Sequence, residues 1–403
     1  MGEPSQTPPS FKHIPALDGI RGVAILLVLS FHLLRSNIAT GDRVLDFVVQ
    51  LRSAGWIGVD LFFALSGYLI SGILLDTRQN AHYFRNFYAR RALRIFPLYY
   101  AVLLLLVIGF HPTTFTATKP FLVLAAYLQN TALWWHTPKS GMLANFTNHL
   151  WSLAAEEQFY LVWPLVILLV PRRRVLLWIC IGLLLLSPVA RFLLLSHGAP
   201  IQATYKLTFC HADSLIAGAW LVIALRTPWR SSVLRFAPVV LAVGIMGCIG
   251  IAAATHNFDF EHNRLLNVFG YSTLAIAGAG LIGVALSPDA LITRALRWRI
   301  FRFFGQYSYG IYVLHEVVGA AIEYRFGGPL RSTFAHQKIL LHLIFFSAVL
   351  LLTIPLAMLS FHYFEQPFLR LKRFFNAVPS PSTRGVFPQP NLPVIAPSGH
   401  PRP

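Results

Sequence analysis

The sequence predicts an all-α protein built as a polytopic bundle of transmembrane helices. Of its 403 residues, 56% are hydrophobic and only 12% are charged, which is about half the charged fraction of an ordinary soluble domain. The apolar residues are gathered into blocks, and most blocks approach the ~20 residues that a helix needs to cross the hydrocarbon core. These two observations exclude a soluble enzyme.

Eleven apolar blocks follow one another with short polar connections. They occupy residues 17–35, 57–75, 98–110, 121–133, 156–170, 175–195, 208–225, 236–254, 267–287, 306–323 and 339–362. We expect about ten of them to span the membrane. The block 121–133 has 13 residues, and blocks of that length are more often re-entrant or interfacial helices.

The distribution of positive charge predicts the orientation. With ten spans both termini share one side, and the segments on that side hold 22 of the 33 Lys and Arg residues. The positive-inside rule then places both termini in the cytoplasm. An eleventh span would turn the run 172–174, three arginines, outward. We therefore expect a multi-pass protein of the cell membrane, which is the inner membrane in a Gram-negative cell.

The two ends of the chain carry further expectations. Glu3 precedes the first block, Asp18 lies at its start, and no small-residue cleavage site follows it, so we interpret it as a retained span and not as a signal peptide. Residues 1–375 are expected to form one membrane-embedded domain. Residues 376–403 contain eight prolines and are expected to form a disordered cytoplasmic tail.

The net charge of +18 does not indicate a nucleic-acid-binding protein, because such proteins gather their cations on one polar face. Here the cations occupy short loops between apolar blocks. Membrane lipids, and not nucleic acid, are therefore the expected partners.

Ionisable residues inside the spans are the first functional candidates, because burying a charge in hydrocarbon costs a few kcal/mol. The first block carries Arg21 and His32. Eleven residues at ~100° each place them within ~20° of one helix face and ~16 Å apart along the axis. A snorkelling arginine and a core histidine are the structural alternatives, but an imidazole can take and return a proton near neutral pH.

Two other blocks carry polar groups near their predicted outer ends or middle. Asp60 lies about a turn inside the second block, and Ser66-Gly67 follows at mid-depth, where glycine permits close approach of a backbone or a ligand. His211 and Asp213 open another block. Their ~200° separation means that they cannot both face one cavity.

The fifth and tenth blocks add carboxylates and a histidine. Glu156 and Glu157 are adjacent and point ~100° apart, so at most one of them faces inward. Ser308, Tyr312 and His315 share one face at helical spacing. Such a stripe is typical of helix packing, but a histidine within it needs a polar partner inside the bundle.

A cluster of arginines precedes the third block on the predicted cytoplasmic side. Arg91 and Arg94 share a helix face, and Arg85 and Arg90 lie beside them. Anionic lipid headgroups are one partner for such a cluster. A soluble polyphosphate ligand is the other, because guanidinium groups bind phosphate oxygens bidentately.

The candidate residues are distributed unevenly across the predicted membrane, with arginines toward the cytoplasm and histidines and carboxylates toward the middle or the outside. This arrangement fits a transferase whose phosphorylated donor enters from the cytoplasm and whose acceptor arrives from the other side. It fits a proton-coupled transporter of a polar metabolite equally well. Composition and spacing leave both functions open.

Six sequence segments occur in one order over roughly residues 16 to 370. They are "LDGIRGVAILLVLSFH", "GVDLFFALSGYLI", the R-x-x-R before "IFPLYY", "WSLAAEEQFYLVWP", "YSYGIYVLH" and "YFEQPF". In these segments the chain resembles the acyltransferase-3 family of integral membrane acyltransferases. That family includes O-antigen and other polysaccharide O-acetyltransferases and macrolide acyltransferases. Some members carry a fused extracytoplasmic hydrolase-like domain, which we do not expect within these 403 residues.

The resemblance implies transfer of an acyl group, commonly acetyl from acetyl-CoA, to a hydroxyl of a glycan or another small acceptor. It implies that His32 is the catalytic histidine, that Arg21 is its paired arginine, and that Arg91 and Arg94 handle the donor. Glu156 matches the glutamate of the family better than its neighbour does. His315 matches the histidine that closes the tyrosine-rich segment.

The chemistry needs a base, because an alcohol is a poor nucleophile at neutral pH and a base within ~3 Å contributes ~10²–10⁴ in rate. We expect Glu156 or Asp60 to fix the tautomer of His32. Direct transfer and an acyl-His32 intermediate both remain open, and no metal is expected. The expected site comprises catalytic His32, Arg21 and Glu156, donor-binding Arg91, Arg94 and Arg21, and acceptor-binding Asp60, Ser66, His211 and His315.

Overall fold

The fold is described by a computed structural model for residues 13–33, 54–137, 141–255, 263–334 and 337–375. Over these residues helices are the only regular secondary structure. The predicted class, an all-α bundle of membrane helices, is confirmed. The predicted tail at 376–403 lies outside the described residues.

Eleven helices of eleven or more residues form the bundle. They are α1 (Pro15–Leu33), α2 (Ile57–Thr77), α3 (Tyr83–Phe110), α4 (Phe115–Ala125), α5 (Trp151–Leu169), α6 (Arg173–Ser196), α7 (Thr208–Ala224), α8 (Arg230–Thr255), α9 (Tyr271–Ala285), α10 (Arg299–Thr333) and α11 (Lys338–Leu359). Shorter helical segments lie between or after them, at Ala54–Trp56, Ala132–Trp135, Gly141–Thr147, Asn148–Leu150, Ile201–Lys206, Leu266–Gly270, Leu291–Leu296, Ser360–Glu365, Gln366–Arg370 and Leu371–Phe375.

Nine of the ten predicted spans coincide with helical segments that are long and apolar enough to cross a membrane, counted over the described parts of the chain. The remaining predicted span, 306–323, lies in α10, which is too polar to meet the same criterion. Helix α10 packs against α1 and α11, and His315 on it is completely buried. The polar side chain of His315 is therefore accommodated by neighbouring helices and not by lipid.

The short fourth block, 121–133, does not form one continuous helix: its first five residues end α4, and a turn and a short helical segment follow. Helix α4 has eleven residues and is therefore ~16 Å long, about half the thickness of the hydrocarbon core. It begins after Thr114, whose hydroxyl accepts a hydrogen bond from the backbone N–H of Ala117 at 3.2 Å, as an N-cap does. The chain turns directly after it, where Tyr127 adopts a φ of 54°.

Helices α1 and α10 lie side by side and run in the same direction. A Cβ added to Gly305 on α10 would overlap the backbone carbonyl of Asp18 near the start of α1, and one added to Gly319 would lie 3.8 Å from Leu33 at its end. Odd-numbered spans share one direction, so this pairing agrees with α10 being the ninth span and not the tenth. The close approach brings the last turn of α1, with His32, against the middle of α10.

Helices α2 and α7 make a second close contact through glycine. A Cβ on Gly67 would overlap the backbone carbonyl of Leu215, and a Cβ on Gly218 would overlap that of Ala64. Small residues allow such backbone contact between membrane helices. Close helix packing is therefore the role of Gly67 in the structure.

Candidate active site

A histidine pair forms where α1 meets α10. The Nδ1 atom of His32 lies 3.0 Å from the Nε2 atom of His315 and 3.7 Å from the Oε1 atom of Glu316. His315 is fully buried, whereas the side chains of His32 and Glu316 are each 13% exposed. The basic groups of two helices therefore meet at a position that remains partly accessible.

The backbone of α10 determines the tautomer of both histidines. The Nδ1 atom of His315 lies 2.7 Å from the carbonyl oxygen of Tyr312 and 3.1 Å from that of Ile311. A carbonyl only accepts, so this Nδ1 carries the proton and the Nε2 of a neutral His315 carries the lone pair. His32 must donate to it through Nδ1–H. The lone pair of a neutral His32 is thereby placed on Nε2.

A third histidine completes this cluster, and sequence reasoning did not single it out. His149 stands in the turn Asn148–Leu150 just before α5, with its ring centroid 5.0 Å from that of His315 and 6.5 Å from that of His32. Its position directly before the "WSLAAEE" segment was the available signal. Tyr312, on the same face of α10 as His315, contacts this histidine as well: its hydroxyl donates a hydrogen bond to the backbone carbonyl of His149 at 2.8 Å.

His32 and His149 line a cavity of about 230 Å³, which we call the histidine cavity. Its wall combines aromatic rings with hydrogen-bonding side chains, among them Tyr312, Asn148, Gln202 and Lys206. A cavity with an apolar body and a few convergent polar groups is typical of a small-molecule site.

A second cavity, of about 400 Å³, lies on the other side of Tyr312. We call it the arginine cavity because its charged lining consists of five cations and one carboxylate: Arg21, Arg90, Arg91, Arg94, Lys372 and Glu156. The predicted residue Ser66 lines it as well. Such an excess of positive charge in a partly enclosed space attracts a polyanion.

Aromatic and carboxylate groups hold the arginines of this cavity in place. The guanidinium of Arg91 lies 4.0 Å from the ring centroid of Tyr160, a cation–π geometry. The hydroxyl of Tyr160 is hydrogen-bonded to that of Ser66. Glu157 and Glu156, on the same helix as Tyr160, both act electrostatically on Arg91. Residues predicted separately on α2, α3 and α5 are thus brought together.

The two cavities are adjacent. Tyr312 and Val59 line both of them, and the Tyr312 hydroxyl lies 2.5 Å from the Ser152 hydroxyl. On α1, His32 faces the histidine cavity and Arg21 faces the arginine cavity. Arg21 and His32 were predicted to share one face of α1. That face therefore runs along both cavities.

Asp60 and His211, predicted to bind the acceptor, contact each other and line neither cavity. The Nε2 atom of His211 lies 2.9 Å from Asp60 Oδ1, which also accepts from the Ser214 hydroxyl at 2.7 Å. The other ring nitrogen of His211 lies 2.9 Å from the carbonyl oxygen of Tyr205. Both side chains are almost completely buried.

Asp213 points away from this pair, as the ~200° angle between it and His211 predicts. Its Oδ2 atom accepts from Arg191 Nη1 and from the Ser272 hydroxyl, each at 2.9 Å. Arg191 and Asp213 are both fully buried. They form a separate ion pair that links α6, α7 and α9.

One expectation about His32 was wrong. Neither Glu156 nor Asp60 is its orienting partner, because Glu156 lines the arginine cavity and Asp60 is bonded to His211. His315 and Glu316 occupy that place instead. Helical periodicity gives the direction of a side chain around its own helix, but it does not say which helix lies opposite.

His32, His315 and Glu316 are also the described residues that could hold a metal ion, since their ligand atoms lie within 4.8 Å of one another. Two imidazoles and a carboxylate are common zinc ligands. In this structure, however, the 3.0 Å hydrogen bond between His32 and His315 already uses the two nitrogens that would face the ion.

The comparison with known proteins identifies the family. Residues 14–362 match the acyltransferase domain that defines the acyltransferase-3 family. The chain belongs to this family. The predicted resemblance is confirmed over nearly the whole of the described chain.

Three relatives illustrate the similarity of this acyltransferase domain. It is 31% identical to the peptidoglycan O-acetyltransferase OatA of Listeria monocytogenes, over 76% of this chain and 49% of the relative. It is 30% identical to YrhL of Bacillus subtilis, over 88% and 55% of the two chains, and 25% identical to the O-acetyltransferase OatA of Staphylococcus aureus, over 95% and 62%. The chain thus spans about half the length of these relatives. No solved structure matches it.

Proposed function

We propose that this protein is a membrane O-acyltransferase that moves an acetyl group from acetyl-CoA, held in the arginine cavity, to a hydroxyl of a glycan, held in the histidine cavity. The observation that carries the proposal is the adjacency of these two cavities, one cationic and one containing an imidazole with a defined basic nitrogen. Family membership supports the reaction class. The name of the Listeria relative supports a peptidoglycan-type acceptor.

The positive charge of the arginine cavity supports its assignment to the acetyl donor. Acetyl-CoA carries a diphosphate and a ribose phosphate, and arginine forks bind phosphate oxygens bidentately. We assign Arg91, Arg94 and Arg21 to this role, and we add Arg90 and Lys372, which line the same cavity. The thioester arm would then reach toward Tyr312, where the arginine cavity meets the histidine cavity.

The tautomer of His32 supports its assignment as the base that acts on the acceptor hydroxyl. Its Nε2 atom takes the proton of the acceptor hydroxyl as the oxygen attacks the thioester carbonyl, giving a tetrahedral intermediate. The C–S bond then breaks, the acetyl ester remains on the acceptor, and the imidazolium returns its proton to the CoA thiolate. His315 is a positioning residue in this scheme, because it acts through the hydrogen bond to His32.

The remaining predicted residues receive different roles. We propose that Glu156 and Ser66 position Arg91 and Tyr160 in the arginine cavity and do not act on His32. Asp60 and His211 are proposed to hold α2 against α7, since both are buried and paired with each other.

The orientation follows from the convergence of cations. Arg21 near the start of α1, Arg91 and Arg94 near the start of α3 and Lys372 after α11 all line one cavity. These segments are the ones that the positive-inside rule places in the cytoplasm. We therefore propose that the arginine cavity opens toward the cytoplasm of a cell membrane and that both termini lie on that side.

The test is transfer of label by the purified protein in liposomes. With acetyl-CoA labelled in the acetyl group and soluble peptidoglycan fragments, we expect label to become covalently attached to sugar and the His32→Ala protein to lack this activity. Covalent label formed equally by His32→Ala would contradict the role of His32. Accumulation of unreacted label or acceptor inside sealed vesicles, without ester formation, would instead support a transporter.

A paired variant tests the donor site. Arg91→Ala with Arg94→Ala is expected to raise the KM for acetyl-CoA at least tenfold while leaving the KM for the acceptor nearly unchanged. The same double substitution at Arg172 and Arg173, which line neither cavity, is the matched control. An effect of the first pair on the acceptor alone would refute the assignment.

A further inference from the structure

His149 is a histidine of the histidine cavity that the proposed reaction does not use. Its side chain is 1% exposed, and its ring contacts those of His315 and Tyr312, with centroids 5.0 and 5.5 Å away. It lines the same cavity as His32. A polar group at this place faces whatever the cavity holds.

Backbone contacts settle which nitrogen of His149 carries the proton. Its Nε2 atom lies 3.3 Å from the carbonyl oxygen of Val313, and a carbonyl can only accept. Nε2 is therefore the N–H, and the Nδ1 of the neutral ring carries a lone pair. The ring is buried against those of His315 and Tyr312, which restricts its rotation.

The Nδ1 atom of His149 is buried and has no hydrogen-bond partner among the described residues. The large majority of buried side-chain polar atoms are hydrogen-bonded, so each exception needs an explanation. A buried acceptor atom on a side chain that lines a substrate-sized cavity is explained when the substrate supplies the donor.

We propose that His149 is an acceptor-binding residue whose Nδ1 accepts a hydrogen bond from a second O–H or N–H group of the acceptor, next to the hydroxyl that His32 deprotonates. This inference rests on the proposed function and specifies its substrate as a polyhydroxylated sugar and not a simple alcohol.

The spacing of the two imidazoles fits such a ligand. Their ring centroids are 6.5 Å apart, a gap that two neighbouring sugar substituents can bridge with two hydrogen bonds of ~2.8 Å. Asn148, Gln202 and Lys206 line the same cavity and provide further polar contacts. A monohydric alcohol would satisfy His32 and leave His149 without a partner.

A matched pair of substitutions distinguishes the role of Nδ1 of His149 from that of Nε2. In His149→Gln the amide N–H can take the place of Nε2 and donate to Val313, but no acceptor remains at Nδ1. In His149→Asn the amide oxygen can take the place of Nδ1, while the bond to Val313 is lost. A merely structural role predicts that the asparagine protein is the more damaged of the two.

The probes are the methyl glycoside of N-acetylglucosamine and its 3-, 4- and 6-deoxy forms. Besides the form that lacks the acylated hydroxyl, we expect one deoxy form to react about 10- to 100-fold less efficiently with the unaltered protein, as loss of one partner of a buried hydrogen bond predicts. His149→Gln should abolish this preference and His149→Asn should retain it.

Several outcomes overturn the inference. A uniform loss with every sugar in His149→Gln would assign His149 a structural role only. Equal reactivity of the remaining deoxy forms with the unaltered protein would show that no second group is recognised, while sugar acetylation itself would leave the proposed function standing. Absence of label on every sugar, together with acetylation of a monohydric alcohol, would refute the substrate class and not the transfer reaction. Absence of any ester formation would refute the proposed function.

Discussion

Two pairs of polar side chains inside the bundle, each containing a histidine, can be compared. In one, His32 meets His315 at 3.0 Å; in the other, His211 meets Asp60 at 2.9 Å. The first pair lies on the wall of a cavity, and the backbone leaves a lone pair on Nε2 of its outer member. The second pair lines neither cavity, and both ring nitrogens of His211 already have protein partners. A polar group inside a membrane protein is a candidate for chemistry where it lines a cavity, as His32 does and as Asp60 and His211 do not.

The largest expected effect comes from removing one histidine of each pair in turn. His32→Ala should lower acetyl transfer by ~10²–10⁴, because the proposed general base is lost, with a smaller loss of thermal stability in detergent because His32 is partly exposed. His211→Ala should do the reverse, lowering the unfolding temperature while the folded fraction keeps its activity. Transfer rates per folded molecule and melting curves of both variants check the pair, and equal loss of activity in both would abolish the distinction.

The next effect concerns the fully buried ion pair of Arg191 and Asp213. Arg191→Met should cost about 3–5 kcal/mol of stability, because it leaves a buried carboxylate without its counterion. Adding Asp213→Leu to it should recover most of that loss. Denaturation of the single and double variants measures both numbers. A single variant as stable as the unaltered protein would show that water reaches Asp213.

A smaller effect sharpens the role assigned to His315. His315→Ala should lower transfer by ~10², the cost typical of misplacing a catalytic group, with the KM for acetyl-CoA unchanged. His315→Gln should retain more activity, because its amide oxygen can accept from the Nδ1–H of His32. If glutamine and alanine behaved alike, the hydrogen bond would not be what orients His32.

The smallest effect tests the contact between α2 and α7 that supports the structural pair. Gly67→Ala should destabilise the protein by ~1–3 kcal/mol, as overpacking does, because the new Cβ overlaps the carbonyl of Leu215. Gly72→Ala is the matched control on the same helix, since the nearest atom to its Cβ would be 3.5 Å away. Melting temperatures of the two variants should differ in that order, and a tolerated Gly67→Ala would show that the helices can separate.

Much of the site follows from local geometry that the sequence contains. The shared face of Arg21 and His32 and the opposite directions of His211 and Asp213 depend only on ~100° per residue, and the structure shows both. The joining of Glu156 and Arg91 in one cavity, and the exclusion of Asp60 from both, depended on which helices are neighbours. Helical periodicity did not identify His149, because it lies in the turn before α5 and not on the face of a long helix.

By itself, the sequence determined that the chain forms apolar membrane helices, which of them carry ionisable groups, and which residues share a face. These properties are local: the bilayer demands internally hydrogen-bonded segments of defined length. Only the tertiary structure decided that α1 lies against α10, that His315 and not Glu156 orients His32, and that two cavities meet at Tyr312. Lipid is as apolar as a helix surface, so hydrophobicity does not select the partner of a membrane helix; close contacts between small residues do.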